Sequence, residues 1–220
     1  MTGCRLCYDV LLRSPLEAWN KPVFESPNFA VLPSLGALVE GWLLLVPKKH
    51  FICMGALPDS LASEMQEMKH IISSILQRTY GQICAFEHGP SAANLSVGCG
   101  VDHAHLHIVP LAFDLASVAT SFLPENLHWS EAGLKECRAA FGRGEDYLYL
   151  EQPIAAGRIA THQEFEGQLF RRAIAERIGV PNQFNWRDYP QLPKVSATID
   201  KVREWNGGVF AWMSRPKAAA

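Results

Sequence analysis

The chain has no apolar run long enough to cross a bilayer: its longest, Trp42–Val46, is far short of the roughly 20 residues a spanning helix needs. It also lacks an excess of either charge. Its 20 Lys and Arg against 22 Asp and Glu leave a formal charge of −2. That balance gives no broad basic field, so no nucleic-acid surface is expected and any phosphate binding must be local. Internal repeats are absent, and the only low-complexity tract is the final alanines, which should fray. The first residues, Met1–Cys7, show no basic segment leading into an apolar stretch, so no secretory signal is expected and the predicted setting is cytoplasmic, with no membrane partner. The six cysteines are irregularly spaced and form no disulfide framework. In that compartment they read as thiols or metal ligands. With 48% hydrophobic and 19% charged residues over 220 positions, the chain is a folded globule, either one large domain or a domain with a substantial extension.

What is present is concentrated in Asp102–Pro110, where His103, His105 and His107 alternate with small or branched apolar residues. A strand puts every second side chain on one face, with neighbours about 6.6 Å apart. Three imidazoles on one surface are costly to bury without partners, which argues for a ligand, a metal or a substrate there. Before this stretch, Gly98, Cys99 and Gly100 can bring backbone N–H groups close to an anion. A nucleophilic role for Cys99 has no base to support it beyond the histidines themselves.

The run His103–Pro110 resembles the alternating His-hydrophobic signature of the histidine-triad (HIT) superfamily of nucleotide hydrolases and transferases. Gly41–His50, reading GWLLLVPKKH, is similar to that family's Pro-Lys-Lys-His strand, and Phe86–Pro90 and Gly98–Val101 resemble its segments just before the triad. The likeness covers about the first half of the chain. It implies that His105 attacks the α-phosphate of a nucleotide conjugate, that His107 bonds the phosphate or the leaving group, and that residues 98–100 cradle the charge. Four departures stand out. Ser34 occupies a position where the family has an Asp or Asn that holds the ribose, and one hydroxyl cannot grip a diol with two bonds. Gly100 replaces a phosphate-binding Ser or Thr. Trp42 replaces the histidine after glycine and is read as packing only. Glu87, where some relatives carry glutamine, would sit badly beside a phosphate unless protonated or turned away.

Cys4 and Cys7 form a Cys-x-x-Cys at the start, which reads better as half of a metal site than as a redox pair. The resemblance supplies the other two ligands, His50 and His103, and implies a structural zinc. Elsewhere the patterning predicts strands over 28–33, 41–47, 83–87 and 146–152. It predicts a helix over 59–80 capped by Asp59 or Ser60 and stopped by Gly81. Further helices are expected over 130–141 with Ser130 as cap and Gly142 as stop, from a Thr161–Glu164 capping box to Ile178, and over 196–205. Arg171, Arg172, Arg177 and Arg187 are the cationic candidates of the second half.

The expected fold is α+β: a HIT-like antiparallel sheet packed by helices in residues 1–115, followed by a mostly helical extension, 116–220, packed on that core. The expected function is nucleotide hydrolysis or nucleotidyl transfer on a dinucleoside polyphosphate or a nucleoside phosphoramidate, with a homodimer as the remaining partner expectation. Two rivals are a metal-dependent hydrolase that uses all three histidines as ligands and a non-catalytic nucleotide-binding regulator.

Overall fold

The computed structural model describes residues 4–10, 17–93, 97, 100–152, 155–163 and 165–213. In chain order these form α1 (Arg5–Val10), β1 (Phe24–Glu25), β2 (Phe29–Pro33), β3 (Leu43–Pro47), α2 (Ala62–Tyr80), β4 (Ile83–Gly89), β5 (Leu106–Pro110), α3 (Leu115–Thr120), β6 (Ser130–Glu131), α4 (Leu134–Gly142), β7 (Asp146–Gln152), β8 (Ala155–His162), α5 (Leu169–Arg177) and α6 (Leu192–Met213). The eight strands make one antiparallel sheet in the order β1-β2-β3-β5-β4-β7-β8-β6, so the fold is α+β.

Strand β5 lies between β3 and β4, with His107 opposite Leu44 on one side and Phe86 on the other. Its alternation sorts the two faces. Leu106 and Ile108 join Leu43, Leu45, Ile83 and Ala85 beneath α2, whose Met65, Met68, Ile72 and Leu76 complete that layer. Val109, Cys84, Phe86 and Leu148 face the other way, onto α3 and α5. His107 follows the same alternation and points to the α3 and α5 side.

The second half of the chain does more than cover the core. Helices α4, α5 and α6 fall in the three regions where helices were expected and α3 was not anticipated, while β7 pairs along β4 from Ala85 to Gly89 and β8 extends the sheet beyond it. The β7 segment matches the predicted strand. The β8 segment, AAGRIATH, escaped because its small residues and glycine carry little strand propensity; pairing with β7 supplies what its own sequence does not.

Several expected helix ends moved. Asp59 and Ser60 lie in a 3-10 turn before α2 and no side chain caps that helix, since Asp59 is bound to Arg138 instead. Gly81 does end it, at φ +86°. Ser130 belongs to β6, and α4 begins at Leu134, where the Glu136 carboxylate reaches back to the Gly133 N–H at 2.7 Å; Arg143, not Gly142, is its C-cap. Thr161 and His162 end β8 and α5 opens eight residues after Thr161, so no capping box forms: the ladder with Tyr147 and Asp146 holds them extended.

Glu87 is almost fully buried but turned away from the histidines. One carboxylate oxygen accepts the Met54 N–H at 2.7 Å and the other accepts the Tyr147 hydroxyl. Burial pushes its carboxyl up to about 7, partly offset by those two bonds. A carboxyl raised in the folded state stabilises the fold most below its unfolded pKa, and that stability is lost as pH rises through the folded value. Unfolding free energy should therefore fall by about 3 kcal/mol between pH 4.5 and 7.5 relative to a Glu87→Gln variant. Denaturant melts across that range check this, and parallel curves for the two proteins would refute it.

A fragment of residues 1–115 would lose β7 from the edge of β4, along with Leu169, Phe170 and Ile174, which are buried against the same face. Each such side chain contributes about 1.5–3 kcal/mol. The fragment should fail to fold, and limited proteolysis of the full chain should not leave a stable core ending near Leu111. A soluble, fully active 1–115 would contradict this.

Candidate functional site

Helix α1 is anchored by Leu6 and Val10, which pack on Ala30, Leu32 and Val46 of the sheet. That places Cys4 and Cys7 over the end of β3, near His50, and over His103 at the entry to β5. The four ligand atoms of Cys4, Cys7, His50 and His103 lie within 4.8 Å of one another. His103 Nδ1 is 3.4 Å from both sulfurs, and His50 Nδ1 is 3.3 Å from Cys7 Sγ. Two thiols and two imidazoles at these separations match a closed tetrahedral zinc site. The far nitrogen of His103 is engaged too: its Nε2–H donates to the Pro47 carbonyl at 2.8 Å, which leaves Nδ1 unprotonated and aimed at the sulfurs.

His105 follows, just before β5 begins. Its Nδ1–H donates to the His103 carbonyl at 2.6 Å, so the lone pair sits on Nε2. The His107 ring lies alongside with centroids 4.9 Å apart, stacked at 4.5 Å on Phe86. Trp42 donates its indole N–H to His107 Nδ1 at 2.9 Å, so the expectation that Trp42 only packs is corrected. Burial holds both histidines below the ordinary imidazole range, and the Arg171 guanidinium adds to that. Both are therefore neutral at pH 7. The three histidines do not converge on one point: His103 turns to the cysteines, while His105 and His107 each spend Nδ1 on the protein. This arrangement does not fit a metal held by all three.

A pocket opens beside His105 and His107, lined also by Ser34, Arg5, Trp19, Arg171 and Trp186. Ser34 lies in its wall, with its hydroxyl turned to the Leu35 carbonyl at 3.3 Å. Arg171 is almost fully buried, bound through Nε to the Phe184 carbonyl at 2.8 Å and through its terminal nitrogen to the Gly36 carbonyl. Gly100, at φ +73°, has its carbonyl held by Arg187 at 2.8 Å. Gly98 and Cys99 lie outside the described residues. Of the other cationic candidates, Arg172 is paired with Glu166 and Arg177 lies over Phe113.

Trp19, Trp42, Arg5 and Trp186 had no signal as site residues. A tryptophan in an apolar run or a loop reads as packing. Arg171 was one of four equal candidates, and only the docking of α5 singles it out.

Neither a protein-family model nor a curated protein matches this chain. Solved structures do. A HIT family protein from Bacillus anthracis aligns with a TM-score of 0.41 and 20% identity, over 51% of this chain and 76% of that one. A hypothetical histidine triad nucleotide-binding protein from Sulfolobus tokodaii aligns at 0.40 and 21%, over 64% and 88%. A zinc-bound histidine triad family protein from Mycobacterium smegmatis aligns at 0.40 and 21%, over 64% and 94%. All three are described as histidine-triad proteins, the family that the motifs of this sequence resemble.

Proposed function

We propose that the chain is a nucleotide hydrolase or nucleotidyltransferase that works at the α-phosphate of a nucleotide conjugate, a dinucleoside polyphosphate or a nucleoside phosphoramidate, through a nucleotidyl-histidine. The observation that carries this reading is the pairing of His105 and His107 in one pocket, each with Nδ1 bonded to the protein. A neutral imidazole with its Nδ1 proton held by a carbonyl has its nucleophilic lone pair on Nε2, and the phosphoramidate it forms is labile enough to hydrolyse. His105 Nε2 attacks phosphorus and His107 bonds a phosphate oxygen. Ser34, in the pocket wall, is the residue assigned to the sugar, and the backbone at 98–100 is assigned to the developing charge. Arg171 supplies the local positive charge that the overall composition lacks, while Arg5 in the same wall is paired with Asp9 at 3.3 Å.

Cys4, Cys7, His50 and His103 would hold zinc. Zinc there ties α1 to the two strand ends and leaves no ligand position for water, which makes it structural. Metal analysis should return about one zinc per chain, and Cys4→Ser should lower Tm along with metal content. Purified protein without metal, and a mutant of unchanged Tm, would count against the site.

Within the triad, His105→Ala removes the bond-forming atom and should cost several orders of magnitude in kcat with zinc retained. His107→Ala should cost roughly two to three orders, by analogy with loss of an oxyanion donor. His103→Ala should lose zinc and stability as well as activity. Turnover and metal content measured on the same preparations decide the matter, since zinc loss in His105→Ala would refute the assignment. A non-catalytic regulator predicts binding without turnover in all four proteins.

A further inference from the structure

Trp42 lies behind the pocket wall, in contact with both His107 and Arg171. The indole N–H of the fully buried Trp42 donates to His107 Nδ1 at 2.9 Å. An indole N–H can donate but never accept. His107 must therefore present a lone pair at Nδ1, and its single proton sits on Nε2. A doubly protonated ring would set Nδ1–H against the indole N–H, two donors face to face in a buried site, which forfeits a bond that cannot be replaced by water. Arg171 lies over the Trp42 ring with its guanidinium carbon 4.8 Å from the centroid, and the carbonyls of Phe184 and Gly36 hold it in place. Its charge opposes a second positive charge at His107. The other titratable groups near His107 are His105 at 4.9 Å between centroids, His88 of β4 at 6.3 Å, and, across the same pocket, the buried Asp9, which is paired with Arg5 at 3.3 Å. His88 accepts the Phe170 N–H on Nε2 at 3.1 Å. Glu87 could have offset these groups, but it is committed on the opposite face to Met54 and Tyr147.

We propose that Trp42 is a positioning residue that fixes His107 in its Nε2–H form and bars it from donating a proton, so that the site favours leaving groups that depart as oxyanions. This rests on the nucleotide reading above. In the first step the His105 Nε2 lone pair forms a bond to the α-phosphorus, and the bond from phosphorus to the leaving group breaks with its electron pair. A phosphate leaves as an oxyanion and needs no proton. An amine cannot leave as an amide anion and must gain a proton as the bond breaks. Neutral His107 cannot supply it, because giving up the Nε2 proton requires Nδ1 to gain one and Trp42 occupies that position. In the second step water attacks phosphorus, its proton passes to solvent, and the P–N electron pair returns to His105. The site thus serves phosphoric anhydrides and is poor at phosphoramidates.

The test uses full-length, zinc-loaded protein and has two arms. In the first, 15N-labelled imidazoles are followed by NMR from pH 5 to 8, with His107 assigned by its loss in His107→Gln. The expected result is an unprotonated Nδ1 and a protonated Nε2 throughout; a proton on Nδ1 in this range overturns the proposal. In the second, kcat/KM is measured for a dinucleoside polyphosphate and for a nucleoside phosphoramidate of the same base. The anhydride should be favoured by at least about 100-fold, the lower range of what a general acid contributes. Trp42→His, whose imidazole can accept from Nδ1–H, should shift that ratio at least about tenfold toward the phosphoramidate. Trp42→Phe, which keeps an aromatic ring without the donor, should let the His107 tautomers mix in the NMR arm. An unchanged ratio in folded Trp42→His, or an unchanged tautomer in Trp42→Phe, overturns the proposal. If neither substrate is turned over, the nucleotide reading fails and takes the leaving-group preference with it, while the NMR arm still decides whether Trp42 fixes the tautomer.

Discussion

Imidazoles buried close together are tolerable only when each nitrogen that faces the protein has a partner, because an unpaired buried polar group costs about 1–3 kcal/mol. Much of the site can be understood from that constraint. The Pro47 carbonyl takes the outer nitrogen of His103, the His103 carbonyl takes Nδ1 of His105, the Trp42 indole satisfies Nδ1 of His107, and the Phe170 amide satisfies Nε2 of His88. These partners come from β3, the approach to β5, the turn before β3, and α5. Each bond chooses a tautomer, and with it the character of the ring's second nitrogen.

The same constraint accounts for the weight carried by the second half of the chain. Helix α5 brings Phe170 against Phe86 and His88, and Arg171 over Trp42, while the loop after it brings Trp186 to the pocket and Arg187 to Gly100. Strand β7 closes β4 on its open side. A buried arginine beside neutral histidines would be costly without its carbonyl partners at Phe184 and Gly36, and both are in place. The pocket is therefore a joint product of the two halves.

The period of two in β4 separates two chemistries only one residue apart. His88 faces the triad, whereas Glu87 goes to the other side, among Tyr147, Met54 and the buried thiols Cys53 and Cys137. Burial and the neighbouring Glu87 push the Cys53 thiol up to about 12, so it stays protonated and inert. A carboxylate that would repel a phosphate is removed from the site without leaving the strand.

The α+β class, the central strands, helix α2 with its Gly81 stop, the alternating histidines and the grouping of Cys4, Cys7, His50 and His103 were legible in the sequence. Those features depend on local periodicity, except the four-ligand grouping, for which the family resemblance supplied His50 and His103. Helix starts were read less well, because Ser130, Thr161 and Asp59 can cap only if the chain is not already committed elsewhere, and strand pairing or Arg138 claimed each of them. Strand β8 was invisible for the complementary reason: its extended form is imposed by β7. Sequence alone determined which residue types line one face of β5. Tertiary structure decided what the imidazole nitrogens meet, which of four arginines reaches the pocket, and that a tryptophan is a hydrogen-bond donor there, because apart from the local His105–His103 bond those depend on contacts between segments 56 to 135 residues apart.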